Sequence, residues 1–160
     1  MRLSLVELLL LALAAAAIAV AFLHSGGSSR RSGPFVRASW TLTPGVLNPG
    51  VTQATIGDTV CRAGWTRTVR PPVSYTNALK ARGLRQYGLR GPPSRFQEDH
   101  LISLELGGDP TDARNLWPEP YPRASAVDKL ENDLNHRVCA GSISLAQAQR
   151  EESALKHRDG

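Results

Sequence analysis

The most constraining feature of this sequence is its unbroken apolar run over residues 8–23, LLLLALAAAAIAVAFL, which takes the amino-terminal end out of any globular fold. Sixteen residues at about 1.5 Å each span about 24 Å, short of the roughly 30 Å hydrocarbon core. Arg2 precedes the run, and Ala19, Val20 and Ala21 offer a small-residue cleavage signal, so residues 1–23 read first as a signal peptide. The alternative is an uncleaved transmembrane anchor using residues 3–23, because Arg2 opposed by Glu7 gives little orientation signal. Either way the remainder is exported, whether periplasmic, extracellular and secreted, or membrane-anchored facing outward. Residues 24–39 open with the Gly/Ser-rich stretch HSGGSSRRSG and read as a flexible tether. That leaves residues 40–160 for one small domain and excludes multidomain readings.

Export puts the two cysteines, Cys61 and Cys139, in an oxidising compartment, where an even pair is most simply a disulfide bond. Closing a loop of about 78 residues is worth about 4.5 kcal/mol in the chain-entropy picture. The alternative is two free buried thiols. Zinc is disfavoured, since neither Cys has a second Cys or His at ligand spacing. Only 6% of the chain is aromatic, so the core is modest and the staple matters. Nineteen Lys and Arg against fourteen Asp and Glu give a net charge of +5, a balance that favours polyanionic partners such as nucleic acid or anionic lipid.

Along the domain, Asn48-Pro49-Gly50 predicts a turn, and residues 51–61 are either a short helix or extended. Residues 64–70 read as a turn and then strand-like chain. Pro71-Pro72 precede a basic helix over about 75–87 capped by Ser74. In RFQEDHLISLELGGD, Leu101, Ser103 and Glu105 alternate with Ile102, Leu104 and Leu106, the period of a strand, before Gly107-Gly108 supplies a turn. Val127, Leu130, Leu134 and Val138 recur at helical spacing over 124–138. Ser144 with Gln147 resembles a capping box opening a last helix through about Leu155. Its Glu151, Glu152 and Ser153 replace a bulky apolar face, which predicts a loose carboxyl-terminal end. Trp40, Trp65 and Trp117 are read as core fillers ahead of base-stacking residues.

Of four histidines, only His100 has acidic company, in Glu98-Asp99-His100. Asp99-His100-Leu101 with Leu104, Gly107-Gly108, then Asn115-Leu116 and an amphipathic helix has the order of a β-hairpin followed by a helix. These residues resemble the HNH endonuclease family, over residues 97 to about 135. The stretches NPGVTQATIGDTVC, GWTRTVRPPVSYTNALK, EDHLISLELGG, NLWPEP and LSLAQAQR are similar to exported HNH-like bacterial proteins. The resemblance implies an α+β fold, a small mainly helical domain built around a ββα-metal unit at about 96–139 and carrying the disulfide. It implies phosphodiester hydrolysis of nucleic acid, DNA ranked ahead of RNA, with low sequence preference, one divalent ion such as Mg²⁺ or Mn²⁺, and no small-molecule cofactor.

Under that resemblance His100 is the general base, Asp99 a metal ligand, and Asn115 the residue that holds the hairpin loop. The chemistry agrees: a neutral imidazole can take a proton from water near pH 7, and a hard cation prefers carboxylate oxygen. Consecutive strand residues face opposite ways, so Asp99 and His100 meet one substrate only at a distorted strand or its end. Where the family has a helix-borne Asn or His, this chain has Arg123, Ala124 and Ser125. Asp128, one turn further on, is the expected substitute, with Glu98 contributing from the hairpin. Arg70, Lys80, Arg82, Arg85 and Arg90 are candidates for a phosphate-binding face. The rival readings are a catalytically inactive nucleic-acid-binding descendant of the fold and a membrane-tethered envelope protein.

Overall fold

The computed structural model describes residues 36–160, so the signal-peptide or anchor segment and most of the expected tether lie outside the described residues. Four helices surround a two-stranded antiparallel sheet: α1 Trp65–Val69, α2 Val73–Gln86, β1 Phe96–His100, β2 Leu116–Pro120, α3 Arg123–Cys139 and α4 Leu145–Asp159. Short 3-10 turns occupy Ile56–Asp58, Pro93–Arg95, Leu104–Leu106 and Ala113–Asn115. The fold is therefore α+β, as expected. Among the described residues no helix is long and apolar enough to cross a membrane.

Several local expectations are corrected. The strand read through residues 101–106 ends at His100, and Leu104–Leu106 is a 3-10 turn. Leu101, Ile102, Leu104 and Leu106 are all buried, so their apparent period of two reflects a loop immersed in the core on every side. Residues 65–69, read as strand-like, are a helical turn, with Gly64 at φ +79° entering it. α2 begins at Val73 with Pro72 preceding it, and Ser74 lies inside the helix without capping. Residues 51–61 resolve into turns around one 3-10 segment.

α3 confirms the periodic pattern: Ala124, Val127, Leu134 and Val138 are buried, and Leu130 packs against the same core. Its end is stapled by the Cys61–Cys139 disulfide, whose Cα atoms lie 5.5 Å apart. Val51, Val60, Trp65, Ile102 and Leu106 meet α3 and Leu145 and Ala148 of α4 in the main apolar cluster. A smaller one joins Ala38, Leu101 and Trp117. Trp65 and Trp117 are thus core residues, whereas Trp40 is 63% exposed and stacks on the His157 ring, centroids 3.5 Å apart.

Ser144 caps α4 by accepting from the Gln147 amide, but the helix runs past Leu155 to Asp159 and is not loose. Glu152 and Lys156 have no exposed surface at all. The Lys156 carbonyl accepts from the Ala38 amide, and His157 Nε2 lies 3.1 Å from the Thr43 carbonyl. Packed chain therefore reaches back into the stretch read as tether, because residues 38–43 cover the end of α4.

Candidate functional site

β1 and β2 pair with Gln97 opposite Glu119, Asp99 opposite Trp117 and His100 opposite Leu116. Directly opposed residues share a face, so Gln97, Asp99, Trp117 and Glu119 lie on one side and Phe96, Glu98, His100, Leu116 and Pro118 on the other. The hairpin loop between the strands is held by Asn115. Its Oδ1 accepts from the Ile102 amide at 2.9 Å, and its Nδ2 donates to the carbonyls of Ile102 at 3.0 Å and Asp109 at 2.9 Å. That is the clamp the sequence suggested. Gly108 is forced by it, because any Cβ there would collide with the Ile102 carbonyl and the Asn115 amide.

On the Asp99 face the chain assembles carboxylates from three elements. One oxygen each of Asp99, Asp128 and Glu131 lie within 4.8 Å of one another. Asp128 and Glu131 stand three residues apart on α3 and so share a helix face. Glu119, from β2, is wholly buried, and no donor among the described residues reaches either of its carboxyl oxygens. Burial first, then the neighbouring Asp99 charge, pushes the Glu119 carboxyl up to about 8, which favours its protonated form at neutral pH.

A lysine sits in the middle of these acids. The Lys156 ammonium donates to Asp99 Oδ2 at 2.8 Å, Glu131 Oε1 at 2.7 Å and the His100 carbonyl at 2.6 Å, so its three protons meet three acceptors. Glu152, one turn earlier on α4, lies 3.1 Å from the same nitrogen and accepts the Ser103 amide with both oxygens at 3.0 Å. Burial opposes each charge. For Asp99 the Lys156 ammonium overrides it and holds the carboxyl below its usual range. For Glu131 and Glu152 burial prevails and both carboxyls rise. Lys156 itself is held well above its ordinary value, since the surrounding carboxylates outweigh the desolvation that pulls it down.

The outer side of Asp99 is less tightly bound. Gln97 Nε2 lies between Asp99 Oδ1 and Asp128 Oδ1 at 3.4 Å from each, long contacts that an ion could replace. Carboxylate oxygen is the donor chemistry a hard divalent cation takes, and the orphaned Glu119 carboxyl beside Asp99 is a further oxygen without a donor. This donor set fits Mg²⁺ or Mn²⁺, with Lys156 as an inner, permanent cation.

His100 addresses different groups. Its Nε2 is 3.1 Å from the Pro110 carbonyl, which can only accept, so the proton sits on Nε2 and Nδ1 carries the lone pair. Burial lowers its pKa, keeping the ring neutral. His100 is not part of the convergent oxygen group. Glu98, offered as a metal ligand, lies outside it too, because its strand position turns it to the opposite face. Burial pushes it up to about 8, and Lys80 and Arg82 pull it partly back.

Of the five proposed phosphate-binding cations, Lys80 is half-buried and donates to the Phe96 carbonyl, while Arg70, Arg82, Arg85 and Arg90 are exposed. Arg70 is the one of the five whose charge acts on His100. Burial raises the Glu105 carboxyl, and Arg70 offsets part of that rise. Sequence reasoning missed Glu119, Glu131, Glu152 and Lys156. Glu131 was findable by its i+3 spacing from Asp128. Glu152 and Lys156 form an i,i+4 pair, but such pairs are ordinarily solvated, so nothing in the sequence announced their burial. Comparison with protein-family models, curated proteins and solved structures returned no match to this chain.

Proposed function

We propose that this exported domain is an HNH-like, metal-dependent endonuclease that hydrolyses nucleic acid phosphodiester bonds with little sequence preference. The observation that carries the reading is the convergence of Asp99, Asp128 and Glu131 within 4.8 Å, next to a buried Glu119 that lacks a donor. A divalent cation bound there would supply positive charge to the scissile phosphate and the departing oxygen. Asp99 and Asp128 would hold it from the hairpin and the helix, joined by Glu131 from the next helical turn. His100 acts as general base: Pro110 fixes its tautomer, and the free Nδ1 lone pair accepts the proton of the attacking water. Arg70, exposed and one of the basic residues of the chain, is the cation we assign to the substrate phosphate. Asn115 keeps the loop, and through it the end of β1, in register.

The test is incubation of supercoiled plasmid and of RNA with purified protein in Mg²⁺ or Mn²⁺, with EDTA and His100→Ala controls. Nicking that EDTA abolishes and His100→Ala lowers by about 10²-fold or more supports the reading. A second reading rests on the Lys156 ammonium, which already compensates Asp99 and Glu131. It is a non-catalytic nucleic-acid-binding module, and retention of DNA or RNA in EDTA without any cleavage would select it.

A further inference from the structure

Lys156 enters from the last helix, outside the hairpin and α3 that supply the other groups, and its nitrogen has no exposed surface. Three features show that it is built in rather than accommodated. Its three protons all have acceptors. Its backbone is fixed by the Ala38 amide on one side and by the His157–Trp40 stack and the Thr43 carbonyl on the other. Its partner Glu152 is anchored separately on the Ser103 amide, so the ammonium is aimed by two elements. Asp99 and Glu131 are the two acids it shares with the convergent oxygen group.

We propose that Lys156 is a tethered competitor of the divalent cation, a positioning residue whose ammonium holds Asp99 and Glu131 together and weakens ion binding at the outer position beside Asp128. The inference rests on the metal-binding part of the reading above, and does not require that the protein cleave nucleic acid. Like charges separated by one shared carboxylate repel strongly in a buried setting, so the ion binds only by drawing Asp99 Oδ2 and Glu131 Oε1 away from the ammonium or by accepting it as a neighbour. Without Lys156 the same acids have no resident counter-charge and hold a divalent ion more tightly.

The experiment titrates Mn²⁺ into the full chain, reading free ion by electron paramagnetic resonance. Wild type is compared with Lys156→Met, Lys156→Gln and Lys156→Arg, each first checked for folding by circular dichroism. The two neutral variants should bind Mn²⁺ at least tenfold more tightly than wild type, and the Arg variant no more tightly. Folded neutral variants that bind no better than wild type would overturn the proposal. Should the neutral variants fail to fold, wild type answers alone. Of its three lysines, Lys80, Lys129 and Lys156, the last should lose its side-chain ¹⁵N signal first on adding substoichiometric Mn²⁺. A Lys156 signal untouched while Mn²⁺ is bound would refute shared ligation. Tighter Mn²⁺ binding with no cleavage by any variant keeps this inference and removes the nuclease reading; cleavage with unchanged Mn²⁺ affinity does the reverse.

Discussion

Asp99 and His100 are neighbours in the chain and are equally well buried, yet the two faces of the hairpin treat them in opposite ways. On the Asp99 face charge is met with charge: three carboxyls, from Asp99, Glu131 and Glu152, surround one ammonium. On the His100 face charge is avoided, with a neutral imidazole tied to one carbonyl and Glu98 driven toward its protonated form. Burial is the common cause, since a low-dielectric interior either supplies a counter-charge or removes the charge by shifting protonation. The lesson is that one step along a strand separates a face where buried charges are compensated from a face where they are neutralised. The loop clamp at Asn115 holds the hairpin end at which both faces meet.

The largest expected effect comes from breaking the charged face. Lys156→Ala leaves Asp99, Glu131 and Glu152 buried around an uncompensated void, and denaturant unfolding at pH 7 should register a loss of about 3–5 kcal/mol. Next is the clamp that serves both faces. Asn115→Ala orphans the Ile102 amide and carbonyl and the Asp109 carbonyl, at about 1–3 kcal/mol for a buried group, so a total near 3 kcal/mol is expected by the same measurement. Asn115→Asp sharpens this: it keeps the acceptor for Ile102 N–H but points an oxygen at two carbonyls, and should recover little of the loss. His100→Ala, by contrast, removes one hydrogen bond to a carbonyl and should cost only about 1 kcal/mol of stability, while under the proposed function cleavage falls by about 10²-fold or more. A stability loss as large as that of Lys156→Ala would mean that His100 is a structural residue.

This difference between faces also explains what the sequence disclosed. α3, the Cys61–Cys139 pair and the Gly107-Gly108 turn were legible, because helical periodicity, cysteine parity and turn chemistry are local signals, whereas the loop-holding role of Asn115 came from the family resemblance alone. The strand over residues 101–106 was misread because a buried loop and a half-buried strand both place apolar residues at every other position. The Lys156 cluster was illegible for a different reason. Its members come from β1, β2, α3 and α4, and an acidic or basic residue on a helix reads as solvated until a tertiary partner buries it. Glu151, Glu152 and Ser153 broke the apolar face of α4 and so predicted a loose end, whereas Glu152 and Lys156 are buried partners, each making the other tolerable.

The smallest effect is a pH dependence, carried on the neutral face by Glu98. In the unfolded chain Glu98 ionises near its ordinary value of 4.5, but in the folded chain burial carries it up to about 8. Between those two values the unfolded state binds fewer protons than the folded one, so this group's contribution to stability falls as pH rises through the window and is flat below it. Lys80 and Arg82 pull the carboxyl back toward ionisation, which limits the slope, and the partly open position of Glu98 limits it again. Glu98→Gln preserves shape and removes the titration. Thermal melts should therefore find the variant close to wild type near pH 4 and more stable than wild type at pH 8, the gap opening steadily between. Glu119→Gln should open a gap of the same sign over the same window, because burial lifts that carboxyl too. The two variants part company when Mn²⁺ is added: the ion should narrow the gap for Glu119, whose proton it competes with, and leave that for Glu98 unchanged. An equal response at both positions would erase the distinction between the two faces.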